Sequence, residues 1–199
     1  MQIILATNNS DKLRELQAIL TDLQIELVGF DRFPGLPPTV EDADTLEGNA
    51  IKKAVEARDR TGLPAIADDT GLEVFYLNGR PGVYSSRFAG PGATYADNVR
   101  TLLAELRGVP PRRRAARFRT VAAFVPVGGT PLVAEGNCEG VILESPRGTA
   151  GFGYDPVFLP NGYHQTFAEM DPALKNSISH RARAVTRLKE LLAHHMAGR

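Results

Sequence analysis

Asp68 and Asp69 close an apolar run, Leu63-Pro64-Ala65-Ile66-Ala67, and are followed at once by Thr70-Gly71. Paired carboxylates at the end of a buried strand suit a hard divalent cation such as Mg2+, which takes oxygen ligands and bridges to phosphates. Open α/β sheets hold ligands outside the carboxyl ends of their strands, and this is such an end. The pattern predicts a strand that breaks into a tight turn at the aspartates. Neighbouring strand residues face opposite ways, so the two acids are expected to do different jobs. An Asx-turn, in which an aspartate caps its own backbone, accounts for the same residues without any ligand.

Three further stretches carry residue types that can do chemistry. Thr7-Asn8-Asn9-Ser10 joins a strand, residues 2–6, to a helix whose apolar positions are Leu13, Leu16, Ile19 and Leu20. With Asn9 or Ser10 as cap, the free N–H groups of that helix start favour an anion, and Lys12 adds a positive charge. Ordinary capping with a solvated lysine explains the segment equally well, and no glycine-rich Walker loop is present. In Gly148-Thr149-Ala150-Gly151-Phe152-Gly153-Tyr154-Asp155-Pro156, glycines permit close approach of backbone to ligand. Phe152 or Tyr154 offers a flat face on which a heterocycle could stack; a tight turn with core aromatics is the competing reading. Near the C-terminus, Ser177 or Ser179 caps a last helix and puts His180 and Arg181 in its first turn, where positive charge opposes the helix dipole. With Lys175 just upstream, that placement suggests an anionic or hydrogen-bonding ligand, or a salt bridge to a core carboxylate.

The elements that must position these groups are legible at coarse grain. Ile25 to Phe30 is a second strand. Asp44-Thr45-Leu46-Glu47 fits a capping box with Asp44 as cap, opening a helix with Leu46, Ala50, Ala54 and Ala57 on one face and ending before Gly62. Asn49 and Lys53 share a face of it. Glu41 precedes the cap, is not explained by capping, and is the better ligand candidate. Leu72 to Leu77 reads as a strand ending at Asn78-Gly79. Thr94 and Asp97 form a second capping box, ahead of a helix presenting Val99, Leu102, Leu103 and Leu106 before Gly108. Phe118–Val127 and Thr130–Cys138 look like a hairpin about Gly128-Gly129, with Glu139–Leu143 continuing the strands. The final helix buries Ala184, Val185, Leu188, Leu191 and Leu192. The fold class is α/β at the front and β-rich behind, one domain over residues 1–199.

Composition narrows the partners. The chain has 199 residues, with 23 basic against 23 acidic side chains, which gives no electrostatic case for nucleic acid or an anionic membrane. Arg112, Arg113, Arg114, Arg117 and Arg119 form the one basic cluster, interleaved only by Phe118, and read as a solvated loop leading into a strand. The single cysteine, Cys138, excludes an intrachain disulfide and reads as a buried small hydrophobe. Met1-Gln2-Ile3-Ile4-Leu5-Ala6 is too short, and lacks the basic flank, for a secretion signal, so a cytoplasmic protein is expected.

Taken together, Ala6-Thr7-Asn8-Asn9 with Lys12, Ile66-Ala67-Asp68-Asp69-Thr70-Gly71-Leu72, Pro81-Gly82-Val83-Tyr84-Ser85, Gly151-Phe152-Gly153-Tyr154-Asp155-Pro156 and Ser179-His180-Arg181 closely resemble the inosine triphosphate pyrophosphatase family. The resemblance runs nearly the full length. It implies a two-lobed α/β protein with a long central mixed β-sheet flanked by helices, an active-site cleft between lobes, and a homodimer. It also implies hydrolysis of noncanonical purine nucleoside triphosphates (ITP, dITP, XTP) to the monophosphate and pyrophosphate, with Mg2+. By match, Thr7, Asn8, Asn9, Ser10, Asp11 and Lys12 hold phosphate, Lys53 faces the phosphates, and Glu41 and Asp69 serve the metal. Asp69, aided by Asp68, activates the water, while Thr70, Phe152, Gly153, Tyr154, Asp155, Lys175, His180 and Arg181 line the substrate site. Gly48 departs from the pattern, since family members commonly carry an acid before the asparagine that matches Asn49. Two other readings remain: a broader pyrophosphatase acting on modified pyrimidine or methylated nucleotides, and a nucleotide-binding sensor whose carboxylates only cap turns.

Overall fold

The computed structural model describes residues 1–21 and 25–197. Its strands are β1 (Gln2–Leu5), β2 (Glu26–Val28), β3 (Ala65–Val74), β4 (Pro81–Gly82), β5 (Ala115–Val125), β6 (Leu132–Ile142) and β7 (Phe158–Pro160). The helices are α1 (Ser10–Leu20), α2 (Leu46–Thr61), α3 (Tyr95–Glu105), α4 (Pro172–Ile178) and α5 (His180–Ala197). The strands form a mixed sheet in the order β2-β1-β3-β5-β6-β7, with β4 paired to β3, which makes the protein α/β as expected. The chain divides into two compact units: Met1–Asp69, Thr120–Gly136 and His180–Arg199 in the first, Thr70–Arg119 and Asn137–Ser179 in the second. None of the described helices is long and apolar enough to cross a membrane.

In the first unit β1 runs parallel to both β2 and β3, with Ile3 beside Leu27 and Leu5 beside Ile66. Parallel strands need crossovers, and α1 and α2 supply them. Such strands are covered on both faces and read as unbroken apolar runs; Ile3, Ile4 and Leu5 are accordingly all buried. One face packs Leu16 and Leu20 of α1 and Ala184, Val185, Leu188 and Leu192 of α5 against Ile3, Leu5, Ile66 and Phe124. The other packs Ala54 and Ala57 of α2 against Ile4, Val28 and Val125. Leu191, expected in the buried face of α5, is exposed. Because β2 and β3 flank β1 on opposite sides, the strand order reverses at the carboxyl end of β1, where open sheets place their ligands.

The second unit has its own core, in which Leu72, Val74, Leu102, Leu106, Phe118, Cys138, Phe158 and Phe167 are buried together. Phe118, Phe158 and Phe167 pack against one another with centroids 4.7 to 6.0 Å apart, Phe118 edge-on to Phe158 and stacked on Phe167. The Thr94–Asp97 capping box forms as read from the sequence.

Several boundaries differ from the sequence pattern. The strand through Asp68 and Asp69 does not break there: β3 continues to Val74, and the expected strand at Leu72–Leu77 ends instead in a 3-10 turn, Phe75–Leu77. The reason is β4, which pairs antiparallel with Leu72 and Glu73. A Cβ on Gly71 would lie 2.5 Å from the Gly82 carbonyl oxygen, so that glycine serves backbone approach rather than a turn. The cap of α2 is Thr45, not Asp44; its hydroxyl accepts from the Gly48 N–H at 3.0 Å, and Glu47 lies exposed. Upstream of α5, Pro172–Ile178 is a helix the pattern did not announce, capped by Asp171 and divided from α5 by the extended Ser179. In the arginine cluster, Arg114 is no solvated side chain. It is buried and donates to the carbonyls of Leu106, Ile142 and Leu143 at 2.8 to 2.9 Å.

Candidate active site

The turn after β1 organises the first group. The Asn9 carboxamide caps α1 by accepting from the N–H groups of Asp11 (2.9 Å) and Lys12 (3.2 Å), and the Thr7 hydroxyl accepts from the Asn9 N–H at 3.1 Å. Asn8 and Ser10 are exposed, and the Asp11 carboxylate pairs with Arg14. The cap aims Lys12 at β3, where its ammonium lies 3.1 Å from Asp68.

Asp68 and Asp69 are buried and have separate partners, as strand alternation requires. The Asp68 carboxylate takes Lys12 and the Nε of Arg181, the latter at 3.2 Å, and Arg181 also pairs with Glu15 of α1. Burial alone would raise the Asp68 pKa, but Lys12, Arg181 and Lys53 outweigh it and hold the group well below the usual carboxylate range. Burial likewise opposes the charge on Arg181, and Asp68 and Glu15 more than restore it. Arg181 therefore stands at a helix start despite the dipole because two carboxylates hold it there, which is the salt-bridge reading of that residue.

Asp69 meets α2. Its Oδ1 accepts from the Lys53 ammonium at 2.9 Å and its Oδ2 from the Asn49 Nδ2 at 3.2 Å. Lys53 also donates to the Glu41 Oε1 at 2.7 Å, so Glu41 and Asp69 converge on one positively charged atom. Burial pushes the Asp69 pKa up, and Lys53 and Lys12 only partly counter it. For Lys53 burial works downward, and the carboxylates of Asp69, Glu41 and Asp68 outweigh it, raising its pKa.

The second group lies wholly in the second unit. The buried Asp155 carboxylate accepts from the Phe152 N–H at 2.9 Å and from the Lys175 ammonium at 2.7 Å. Gly151 and Gly153 take positive φ, which folds the loop back on Asp155. Lys175, presented by α4, lies 4.9 Å from the centre of the Phe152 ring, a cation–π distance. Phe152 is half-buried, with Tyr95 6.0 Å away. Tyr154 is not a second stacking face. It is buried in the core, donates its hydroxyl to the Ser85 carbonyl at 2.9 Å, and burial pushes its pKa far up. Thr70 is half-buried at the start of this unit, and His180 is buried at the start of α5.

Two participants were missed by the sequence reading. Glu15 lies on the polar flank of α1 and Asn49 on α2; for the second, the shared face with Lys53 was the available clue. Gly136 is a third contributor, since a Cβ there would strike the His180 carbonyl and the Ala184 N–H at the start of α5.

An α/β protein with a capped turn after β1, buried lysines facing paired carboxylates, and a glycine-flanked aromatic beside a lysine has the features of a phosphate-handling, base-stacking enzyme. Residues 3–191 match the Ham1 family, to which this chain belongs. It is 49% identical to the dITP/XTP pyrophosphatase of Desulforamulus reducens over 192 residues, 96% of each chain, and 47% identical to that of Geobacter sulfurreducens over 191. Among solved structures it is similar to the HAM1 protein from Coxiella burnetii (TM-score 0.88, 42% identity, 98% of this chain and 99% of that one). It is also similar to the Ham1 protein of Staphylococcus aureus (TM-score 0.86, 34% identity, 98% and 100%).

Proposed function

We infer that this chain hydrolyses noncanonical purine nucleoside triphosphates, dITP, ITP and XTP, to the monophosphate and pyrophosphate. Full-length similarity to dITP/XTP pyrophosphatases supports the substrate, and the convergence of Glu41 and Asp69 on one cationic point carries the chemistry.

The oxygens of Glu41 and Asp69 already share a single positive partner, so the pair fits a hard cation held by one or two carboxylates together with substrate phosphates. No cluster of three or more acidic, histidine or cysteine side chains suited to a metal occurs among the described residues, and the Mg2+ proposed on Glu41 and Asp69 would draw its other oxygens from the substrate phosphates and water. When bound there, Mg2+ would screen the charge of the triphosphate and polarise its phosphorus centres. Asp69, the acid with the raised pKa, orients a water and takes its proton as the oxygen attacks the α-phosphorus. The bond from that phosphorus to the bridging oxygen breaks and pyrophosphate leaves. Lys12, Lys53 and the N–H groups of the Thr7-to-Lys12 turn stabilise the charge that develops. Asp68, held ionised by Lys12 and Arg181, serves as their counter-ion and is a poor base.

Phe152 supplies the stacking face for the purine. Arg181 is committed to Asp68 and Glu15, so Lys175, fixed by Asp155, or the buried His180 is the donor to the purine 6-oxo group. Adenine presents an amino group there, and an unmet buried donor costs about 1–3 kcal/mol. The homodimer is carried here by family resemblance. Pyrophosphate release from a panel of ITP, XTP, ATP and modified pyrimidine triphosphates, with and without Mg2+, tests the whole reading. Selective Mg2+-dependent turnover of ITP and XTP is the expected result; comparable kcat/KM for ITP and ATP overturns it, and binding without turnover points to a sensor.

A further inference from the structure

We propose that Asn49 is a positioning residue of this reaction, aligning Asp69 and anchoring the segment that carries Glu41 through one side-chain amide. The inference rests on the pyrophosphatase reading above.

Asn49 is fully buried on α2, one turn before Lys53. Its Nδ2 donates to the Asp69 Oδ2 at 3.2 Å, and its Oδ1 accepts from the Ala43 N–H at 3.0 Å. The amide can point only this way, because a flip would set oxygen against a carboxylate and N–H against N–H. Asp69 is thus held by both oxygens, Oδ2 on Asn49 and Oδ1 on Lys53. That leaves the plane of the base little freedom to rotate.

The other end of the amide reaches Ala43, two residues after Glu41. This contact ties the backbone approaching α2 to the same helix that orients Asp69. Gly48 makes the approach possible: a Cβ there would lie 2.9 Å from the Ala43 Cβ and 3.1 Å from the Thr45 hydroxyl. The glycine that departs from the family pattern therefore serves the packing of the segment bearing Glu41. Groups one step behind metal-binding carboxylates characteristically change metal affinity or activity 10- to 100-fold when removed.

The test uses Asn49→Ala and Asn49→Ser in the full chain, measuring pyrophosphate release from dITP, Mn2+ affinity by titration without nucleotide, and Tm. The expected result is a kcat lower by about 10- to 100-fold, dITP KM within about threefold, and Mn2+ affinity weakened about tenfold. Both variants should remain cooperatively folded, with Tm lowered because the Ala43 N–H and the Asp69 Oδ2 lose their partner. Turnover and Mn2+ affinity both within about twofold of wild type, in either folded variant, overturn the proposal. So does a loss confined to Tm. If the unaltered chain releases no pyrophosphate, the pyrophosphatase reading fails, while the Mn2+ titration still decides whether Asn49 holds the two carboxylates in register.

Discussion

The two groups of buried charge handle the same problem in different ways. In the first unit, Lys12, Lys53 and Arg181 are matched against Asp68, Asp69, Glu41 and Glu15, and Lys53, Arg181 and Asp68 each touch two counter-ions. In the second, Lys175 pairs with Asp155 beside the Phe152 and Phe167 rings, and a backbone N–H donates to the same carboxylate. A network of opposed charges can take in a polyanion and a metal by exchanging partners. An ion pair set against aromatic faces is suited instead to reading the edge of one flat, uncharged ring system. On the proposed reading the difference separates catalysis from recognition, and substitutions can probe each side in turn.

The largest effect is expected at Asp69. Asp69→Asn keeps the volume but removes the proton acceptor, and kcat should fall by about 10²–10⁴-fold while nucleotide binding persists. Steady-state pyrophosphate release alongside a binding titration checks this, and near-normal kcat would remove Asp69 as base. Next comes Arg181→Met, which leaves Asp68 and Glu15 without their shared cation in a buried site. Breaking such a contact costs about 3–5 kcal/mol, readable as a loss of stability in urea unfolding. A variant as stable as wild type would mean the network is not needed for folding.

On the recognition side, Phe152→Ala should raise the ITP KM by roughly tenfold, since stacking of a base is worth about 1–3 kcal/mol, with kcat little changed. A fall in kcat at constant KM would instead move Phe152 to the catalytic side of the comparison. The smallest effect concerns two surface carboxylates of the second unit, the half-buried Asp97 and the exposed Glu169. Asp97 is held below its ordinary pKa by hydrogen bonds from Thr94, and Glu169 by its bond from the Thr166 N–H and by Arg147. A depressed folded-state pKa contributes stability above the unfolded value, and that contribution is lost as pH falls through the folded one. Removing the acid by Asp97→Asn should therefore flatten the decline in Tm between neutral pH and the carboxylate range. An unchanged slope would show that the cap contributes nothing there.

Much of the site was visible in residue types. The Thr7-to-Lys12 turn, Asp68 and Asp69, Glu41, Lys53 and the Gly151-to-Asp155 loop all stand out, because polar groups interrupting apolar periodicity are hard to explain by packing alone. Asn49 and Glu15 were less visible. A single polar residue on an amphipathic helix looks the same whether it meets water or a buried carboxylate. The β3 boundary was misread because Thr70-Gly71 signals a turn locally, whereas β4, contributed by residues 81–82, extends the pairing.

The order of local chemistry along the chain thus determined the α/β class, the helix faces and the inventory of charged groups, since these depend on spacing over a few residues. Pairing was decided only by the tertiary structure. Which cation meets Asp68 and which meets Asp69, why Arg181 tolerates a helix start, and why Tyr154 is core while Phe152 remains accessible all depend on contacts between residues up to 166 positions apart. Burial sets the energy of a charge, and burial is a property of the folded chain rather than of any stretch of it.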